Sequence, residues 1–287
     1  MFLSKILFKI LPKKIFSDIR YKFYTFKQKL YKPISEDKFK HLLSQKLGVQ
    51  KGATVFIHSS MDFLNYEASP EKILEILLDL VGEEGTLIFP AWHFNYRAEI
   101  YLQKNKIFDI KRSPTVMGLL PETARRHPLA FRSIHPTNSI AAIGKHAEEL
   151  LETHHKSVYP CGELSPYFKM MQYNAIIIGI GVTSHFLSFM HCPEDVMKDK
   201  FPIKTRTNEV FTGKIKLENG SIISVDTLAA HNNIVKRDFQ TYAKKHLSND
   251  IFTEYKLGGS YFFRADSNKL YNRVTELALQ GITIYTT

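Results

Sequence analysis

Apolar and polar positions alternate along the chain in blocks that predict strands and helices in turn. Short apolar runs at residues 53–58, 86–90 and 174–179 are typical of strands buried on both faces. Between the first two runs, Ser69-Pro70-Glu71 resembles a helix start with a serine cap, and Gly82 ends an apolar pattern of helical period. A strand, a helix and a strand in such close succession predict a parallel βαβ unit.

The rest of the chain adds elements of both kinds. Further helices are predicted at about residues 36–47, 115–126, 146–154, 234–246 and 268–279, and further strands at 139–143 and 282–285. Residues 201–225 predict short strands joined by a hairpin turn at Glu218-Asn219-Gly220. We therefore expect an α/β fold in which a mixed, partly parallel central sheet is flanked by helices.

The first 32 residues differ from the rest in charge. They hold nine lysines or arginines and one acid, whereas the remaining 255 residues hold 30 basic and 27 acidic groups. Most of the net charge of +11 therefore belongs to this segment, and the nearly balanced remainder argues against nucleic-acid binding. We expect a basic, amphipathic helical arm over residues 1–32 and one folded domain over residues 33–287.

The function of the arm has two interpretations at this stage. Its apolar run is too short and too rich in lysine to span a membrane, and no signal-peptide cleavage site follows it. It could lie on an anionic membrane surface, or it could pack on the body or on a second subunit of a homodimer. Two cysteines without regular spacing indicate a reducing compartment, so we expect a cytoplasmic protein, at the inner membrane face if the arm binds lipid.

Polar residues cluster in four segments where the periodic pattern stops. These segments are His58-Ser59-Ser60 and residues 113–118, 131–139 and 188–194. The first follows a predicted parallel strand, at the sheet edge where ligands bind in α/β folds. The second lies at a predicted helix start, where free N–H groups can receive an anionic or carbonyl oxygen.

Taken in order, these segments resemble the aminoglycoside 3-N-acetyltransferase family. The resemblance covers residues 53–194 and includes Gly-Glu-Glu-Gly-Thr-Leu-Ile-Phe-Pro at 82–90, Ser-Pro-Thr-x-Met-Gly at 113–118, Arg-Ser-x-His-Pro-x-x-Ser at 132–139, Gly-Glu-x-Ser-Pro at 162–166 and His-x-x-Glu at 191–194. It implies an N-acetyltransferase that uses acetyl-CoA as co-substrate. It also implies a mixed α/β architecture unlike that of the GNAT acetyltransferases.

The residue types suit acetyl transfer to an amine. A neutral imidazole can take the proton of the amine as the N–C bond forms, and a carboxylate can orient that imidazole. We assign His191 as the base and Glu194 as its carboxylate, with His135 as a second catalytic candidate, either beside the base or as a donor to the thioester. The candidate CoA-binding residues are His58, Ser59, Ser60, Ser113, Thr115, Gly118, Arg132 and Ser133. No metal is expected.

The acceptor is predicted from one aromatic loop and from one difference between this sequence and the family pattern. Trp92, His93 and Tyr96 form an aromatic loop of mixed charge, which suits sugar stacking and an anionic group such as a nucleotide diphosphate. Cys192 and Pro193 depart from the family pattern, so we expect an amino sugar of surface-polysaccharide biosynthesis, nucleotide-linked, with an aminoglycoside as the alternative. Pro193 also predicts a helix that begins after His191.

Four other interpretations are weaker. An acetyl-cysteine at Cys192 is disfavoured because adjacent side chains usually point apart, and no separate base for the thiol is evident. His154, His155, His185 and His191 show no repeated metal-ligand spacing. Ser59 lacks the flanking glycines of a hydrolase nucleophile. The last is a non-enzymatic membrane scaffold in which the arm alone functions.

Overall fold

The computed structural model describes residues 30–231 and 237–285, together with residues 15, 19, 22 and 28. Ten strands are numbered in chain order: β1 Thr54–Ser59, β2 Thr86–Pro90, β3 Ile107–Asp109, β4 Phe131–Arg132, β5 Ile140–Gly144, β6 Ile176–Ile180, β7 Arg206–Lys216, β8 Ile222–Ala230, β9 Phe252–Leu257 and β10 Ser260–Asp266. Seven form one sheet in the order β4-β5-β2-β1-β6-β10-β9, and three form a small sheet in the order β3-β7-β8.

Nine α-helices connect or follow these strands. They are α1 Glu36–His41, α2 Pro70–Val81, α3 Ala98–Gln103, α4 Leu119–Arg126, α5 Ala147–Leu151, α6 Pro166–Lys169, α7 His191–Met197, α8 Phe239–His246 and α9 Ser267–Leu279, as counted over the described residues. A π-helical segment, Leu42–Lys46, continues α1, and a short 3₁₀ turn, Ser188–Met190, leads into α7. Within the part of the chain given above, no helix is long and apolar enough to cross a bilayer.

The large sheet is mixed, as the pattern predicted. β1 pairs in parallel with β2 on one side and with β6 on the other, while β5 and β10 add antiparallel strands outside them. The predicted βαβ unit is confirmed as β1-α2-β2. Four residues of β6, Ile176, Ile177, Ile178 and Ile180, are buried, which explains why this interior strand has no polar alternation.

Each face of the large sheet is covered by its own apolar core. Val55 and Ile57 of β1 point into one core with the apolar stripe of α2, whereas Phe56 points into the other with residues of α9. Because successive side chains of a strand alternate between faces, one six-residue strand supports both cores. This arrangement leaves the carboxyl ends of β1 and β6 side by side at one edge of the sheet.

Several predicted boundaries are wrong. The helix predicted from residue 115 begins at Leu119, and the strand predicted at 282–285 is reduced to one antiparallel bridge between Tyr285 and Arg237. The helix predicted from residue 234 begins at Phe239, and residues 232–236 lie outside the described residues. The hairpin β7–β8 is confirmed, but the hairpin β9–β10 was not predicted.

Candidate active site

The first polar segment lies where β1 ends. Gly181 follows the neighbouring strand β6 with a φ of +68°, and a Cβ there would lie 2.4 Å from the carbonyl oxygen of Ser60. Gly118 has a φ of +116° and caps α4, with its Cβ position 3.6 Å from the carbonyl oxygen of Ser59. Two glycines in conformations that disfavour other residues therefore bring α4 and β6 against the end of β1.

The side chains of this segment are exposed to different degrees. His58 is buried beside the rings of Phe56 and Phe263, and burial lowers its pKa to about 3. Its Nε2 atom and the hydroxyl of Ser59 have no hydrogen-bond partner among the described residues. His58 is therefore a neutral core residue, and the hydroxyl of Ser59 is buried as well.

The hydroxyls of the second segment stabilise their own loop. Thr115 donates its hydroxyl to the carbonyl of Trp92 at 2.8 Å and accepts from the N–H of Met117 at 3.1 Å. Ser113 accepts from the N–H of Asp109 at 3.1 Å. These side chains hold the approach to α4 in place, which explains why the helix begins at Leu119 and not at Thr115.

Arg132 occupies a different position from the one predicted for a phosphate ligand. Its guanidinium donates to the carbonyls of Ile110 at 3.2 Å and Ser113 at 2.5 Å and to that of Ala91, and it lies 4.6 Å from the ring centre of Phe108. Because its guanidinium donates to three main-chain carbonyls, Arg132 holds the loops that carry them in place. We therefore do not retain Arg132 as a CoA ligand.

His135 lies in a buried stack with His154, at 4.4 Å between ring centres. Its Nδ1 atom accepts from the N–H groups of Thr137 and Asn138 at 3.3 and 3.1 Å, so its proton is on Nε2. Ser133 accepts from the N–H of Ile140 and bonds Nδ1 of His154 at 2.8 Å. Ser133 thus holds His154 in the stack and is too buried to contact a ligand. His135 is held by the N–H groups of Thr137 and Asn138.

The fourth segment brings a histidine and a glutamate into contact on one helix. Helix α7 begins at His191 itself, so the prediction that the helix begins after it is wrong. Pro193 is the third residue of the helix, where no intrahelical N–H bond is required. His191 and Glu194 therefore lie three residues apart on one helix, and Nδ1 of His191 is 2.7 Å from Oε2 of Glu194.

Two residues that the sequence patterns did not indicate complete this group. The hydroxyl of Tyr285 donates to Oε1 of Glu194 at 2.7 Å, so both carboxylate oxygens have partners. A guanidinium nitrogen of Arg237 lies 2.7 Å from Nε2 of His191 and 3.3 Å from the hydroxyl of Tyr285. The bridge between the main chains of Arg237 and Tyr285 holds the two side chains together.

The charges of this group suit a base. Burial lowers the pKa of His191, and the cation of Arg237 lowers it further, while Glu194 acts in the opposite direction. Burial raises the pKa of Glu194, but His191, Arg237 and Tyr285 together lower it more. Glu194 is thus ionised and His191 neutral at physiological pH, with the Nδ1 proton directed at Glu194 and the lone pair on Nε2.

An ion pair follows directly in the same helix. Asp195 is fully buried and accepts two hydrogen bonds from Arg206 of β7, at 2.6 and 2.8 Å, and a third from the N–H of Cys161 at 2.8 Å. Because both oxygens of Asp195 have partners, this bidentate ion pair fixes the position of α7 relative to the small sheet.

The predicted acceptor loop is partly buried. His93 stacks on Phe108 at 4.2 Å, and its Nε2 is 2.7 Å from the hydroxyl of Tyr101. Burial and the cation of Arg132 lower the pKa of His93 to about 4. Tyr96 is 37% exposed, so it is the aromatic residue here that a sugar ring can most easily reach.

The competing chemistries receive no support from the structure. Cys161 and Cys192 are buried, and burial raises the pKa of both thiols, which opposes a nucleophilic thiolate. Among the described residues, no group of three His, Cys, Asp or Glu side chains could hold a metal ion.

Known proteins are similar to this chain over most of its length. A family model described as aminoglycoside 3-N-acetyltransferase matches residues 56–278. Aminoglycoside N(3)-acetyltransferase IX of Micromonospora chalcea is 25% identical over 262 residues, which are 84% of this chain and 92% of that protein. Aminoglycoside N(3)-acetyltransferase VII of Streptomyces paromomycinus is 30% identical, but only 52% of this chain and 56% of that protein are matched.

Solved structures show the same fold. Aminoglycoside acetyltransferase AAC(3)-Xa superposes with a TM-score of 0.74 at 20% identity, over 93% of this chain and 99% of that one. The binary complex of AAC-IIIb with CoASH gives a TM-score of 0.71 at 18% identity, over 88% and 98%. The predicted α/β fold, the non-GNAT architecture and the N-acetyltransferase class are confirmed. With the family model matching more than half of its residues, the chain belongs to the aminoglycoside 3-N-acetyltransferase family.

Proposed function

We propose that this protein transfers the acetyl group of acetyl-CoA to an amine of an amino sugar, with His191 as the general base. The observation that carries the proposal is the pair of His191 and Glu194 at 2.7 Å, in a family of acetyltransferases. A neutral His191 can accept the proton that the amine loses as its nitrogen attacks the thioester carbonyl. Glu194 then stabilises the imidazolium, and the thiol of CoA leaves.

The co-substrate site is proposed at the edge formed by β1, β6 and α4. Relatives of the same fold bind CoA, as the AAC-IIIb complex is described. Here Ser59 has a buried hydroxyl without a partner among the described residues, and Ser60 and Gly118 lie beside it. Thr115, Ser113 and Ser133 shape this edge from behind, through their bonds to the main chain. His135, whose Nε2 proton has no partner in the described chain, remains a candidate for a donor to the thioester.

Two acceptor classes are proposed. The names of the relatives support an aminoglycoside, and one related acetyltransferase is described in complex with a gentamicin. A nucleotide-linked amino sugar is the second candidate, because a cation, Arg237, lies at the candidate base. Trp92, His93 and Tyr96 are proposed to contact either sugar.

The first prediction is that the protein binds acetyl-CoA and releases CoA when an amino sugar is added. Isothermal titration should show binding at millimolar acetyl-CoA or below, and a thiol assay should report turnover with gentamicin, with UDP-glucosamine, or with both. A mock reaction without acceptor gives the background hydrolysis. If titration shows no binding of acetyl-CoA at millimolar concentration, the acetyltransferase proposal fails.

The N-terminal arm is proposed to be separable from catalysis. The family match begins at residue 56, after the arm, and most of residues 1–29 lie outside the described residues. Of those described, Ile15 and Ile19 are about half exposed, at 47% and 46%, one helical turn apart. An exposed apolar pair in a segment with nine basic residues supports contact with an anionic membrane, at the cytoplasmic face.

The second prediction follows from this separation. Deleting residues 1–29 should leave turnover on a soluble amino sugar within about twofold, since no candidate site residue lies there. The full-length protein should sediment with vesicles that contain phosphatidylserine, and the truncated protein should not. Each lysine near the surface contributes roughly 1 kcal/mol, so binding should weaken as salt rises. Loss of folding on truncation, with no vesicle binding by the full chain, would instead indicate a packing element.

A further inference from the structure

A cation lies against the imidazole of the candidate base. A single guanidinium nitrogen of Arg237 lies 2.7 Å from Nε2 of His191 and 3.1 Å from Nδ1. A nitrogen this close to both ring nitrogens lies over the face of the imidazole, because Cε1 fills the plane between them. Because Nδ1 is bonded to Glu194, Nε2 is the atom left to accept the proton of an amine. Arg237 therefore lies beside the in-plane path along which the acceptor amine approaches Nε2.

Arg237 is not neutralised by a carboxylate of its own. In contrast to Arg206, which has two bonds to Asp195, Arg237 has its contacts with His191 and with the hydroxyl and ring of Tyr285. No ion pair within 4.0 Å joins it to an acid of the described residues. The nearby carboxylate of Glu194 is bonded by His191 and Tyr285, so the half-buried guanidinium of Arg237 can still pair with an anion.

We infer that Arg237 selects amino sugars that carry a phosphate or a carboxylate, because such an anion binds its guanidinium beside Nε2 of His191. The same contact places the acceptor next to the base, so binding of the anionic group and positioning for proton transfer are linked. An acceptor with only cationic groups is repelled by Arg237. The inference rests on the proposed acetyl transfer and specifies its acceptor.

The test compares acceptors that differ in charge. Glucosamine is neutral apart from its amine, glucosamine 6-phosphate and 2-amino-2-deoxyglucuronic acid add a phosphate or a carboxylate, UDP-glucosamine adds a diphosphate, and gentamicin is polycationic. For the wild type we expect kcat/KM to be highest for at least one anionic acceptor, by about 10- to 100-fold over glucosamine, the size of one or two charge-assisted hydrogen bonds. Comparison of the phosphate and carboxylate acceptors shows which anion Arg237 binds.

The informative variant is Arg237→Gln. It should raise KM for the preferred anionic acceptor about 10- to 100-fold and lower kcat/KM for that acceptor more than for glucosamine. Arg237→Lys should retain part of the preference. The acid limb of the pH profile should move to higher pH in Arg237→Gln, because the cation that lowers the pKa of His191 is gone. The control is Arg273→Gln on α9, whose partners are His246 and Glu276.

Failure of this inference can be told apart from failure of the acetyl transfer. If no acceptor releases CoA with the wild type, the proposed function fails. If the wild type acetylates gentamicin or glucosamine as well as the anionic sugars, the selectivity is wrong. It is equally wrong if Arg237→Gln, shown to be folded by its thermal melt, changes kcat/KM for every acceptor by one common factor without moving the pH profile.

Discussion

Replacing His191 by alanine is expected to lower kcat by about 10²–10⁴-fold, with little change in the affinity for acetyl-CoA. This is the usual worth of one general acid or base, and His191 presents the free lone pair of the group. The measurement is steady-state CoA release on the best acceptor, together with titration of acetyl-CoA into the same variant. A fall of less than tenfold would show that the proton leaves by another route.

Two further variants sharpen this result. Glu194→Gln keeps the size of the side chain but removes the charge that stabilises the imidazolium, so kcat should fall less than for His191→Ala. Cys192→Ala is the matched control on the same helix, since its thiol is buried and protonated. It should retain most of the activity. Complete loss of activity in Cys192→Ala, with the fold intact, would support an acetyl-cysteine intermediate in place of direct transfer.

Lowering the pH below 6.5 is expected to destabilise the fold steeply. His58, His135 and His154 are buried, with at most 5% of each exposed. Burial lowers the pKa of His58 to about 3 and that of His154 to about 4, and it lowers that of His135 strongly. From these three histidines alone, the unfolded chain binds up to three more protons than the folded chain. This stability is present above pH 6.5 and is lost as the pH falls from 6.5 towards 4.

The effect should be visible in urea unfolding at pH 7, 6, 5.5 and 5. Each proton contributes about 1.4 kcal/mol per pH unit, so three histidines give a slope of roughly 4 kcal/mol per unit at its steepest. His58→Leu should reduce the slope by about 1.4 kcal/mol per pH unit. His41→Gln, at an exposed position in α1, is the matched control for the loss of an imidazole. A stability that stays constant from pH 7 to 5 would mean that these imidazoles are protonated in the fold.

Sequence patterns predicted the elements whose bounds depend on residues close together in the chain. β1, α2 and β2 are adjacent in the chain, and Ser69 and Gly82 delimit the helix through its own first and last turns. The hairpin β9–β10 escaped prediction because two successive residues of β10, Phe262 and Phe263, are both buried and interrupt the alternation expected of a strand.

The site was predictable only where its residues are close in sequence. The spacing of His191 and Glu194 places them on one helical face, and the segment matched a family pattern. Arg237 and Tyr285 are 46 and 91 residues from their partners His191 and Glu194, so no spacing rule could connect them. Arg132 and Ser133 have the residue types of phosphate ligands, but the loops around them use those donors and acceptors for themselves.

The adjacent carboxylates of Glu194 and Asp195 make helix α7 the connection between the candidate base and the small sheet. One carboxylate holds the base, and the next is fixed to Arg206 at the start of β7. The same strand packs, through Phe211, on Tyr101 and Leu102 of α3, next to the acceptor loop. A substitution that tilts the small sheet would therefore rotate α7 and change the geometry of the hydrogen bond between Glu194 and His191. During divergence of the family, acceptor choice and strength of the base are then expected to change together, through residues that never touch the reacting atoms.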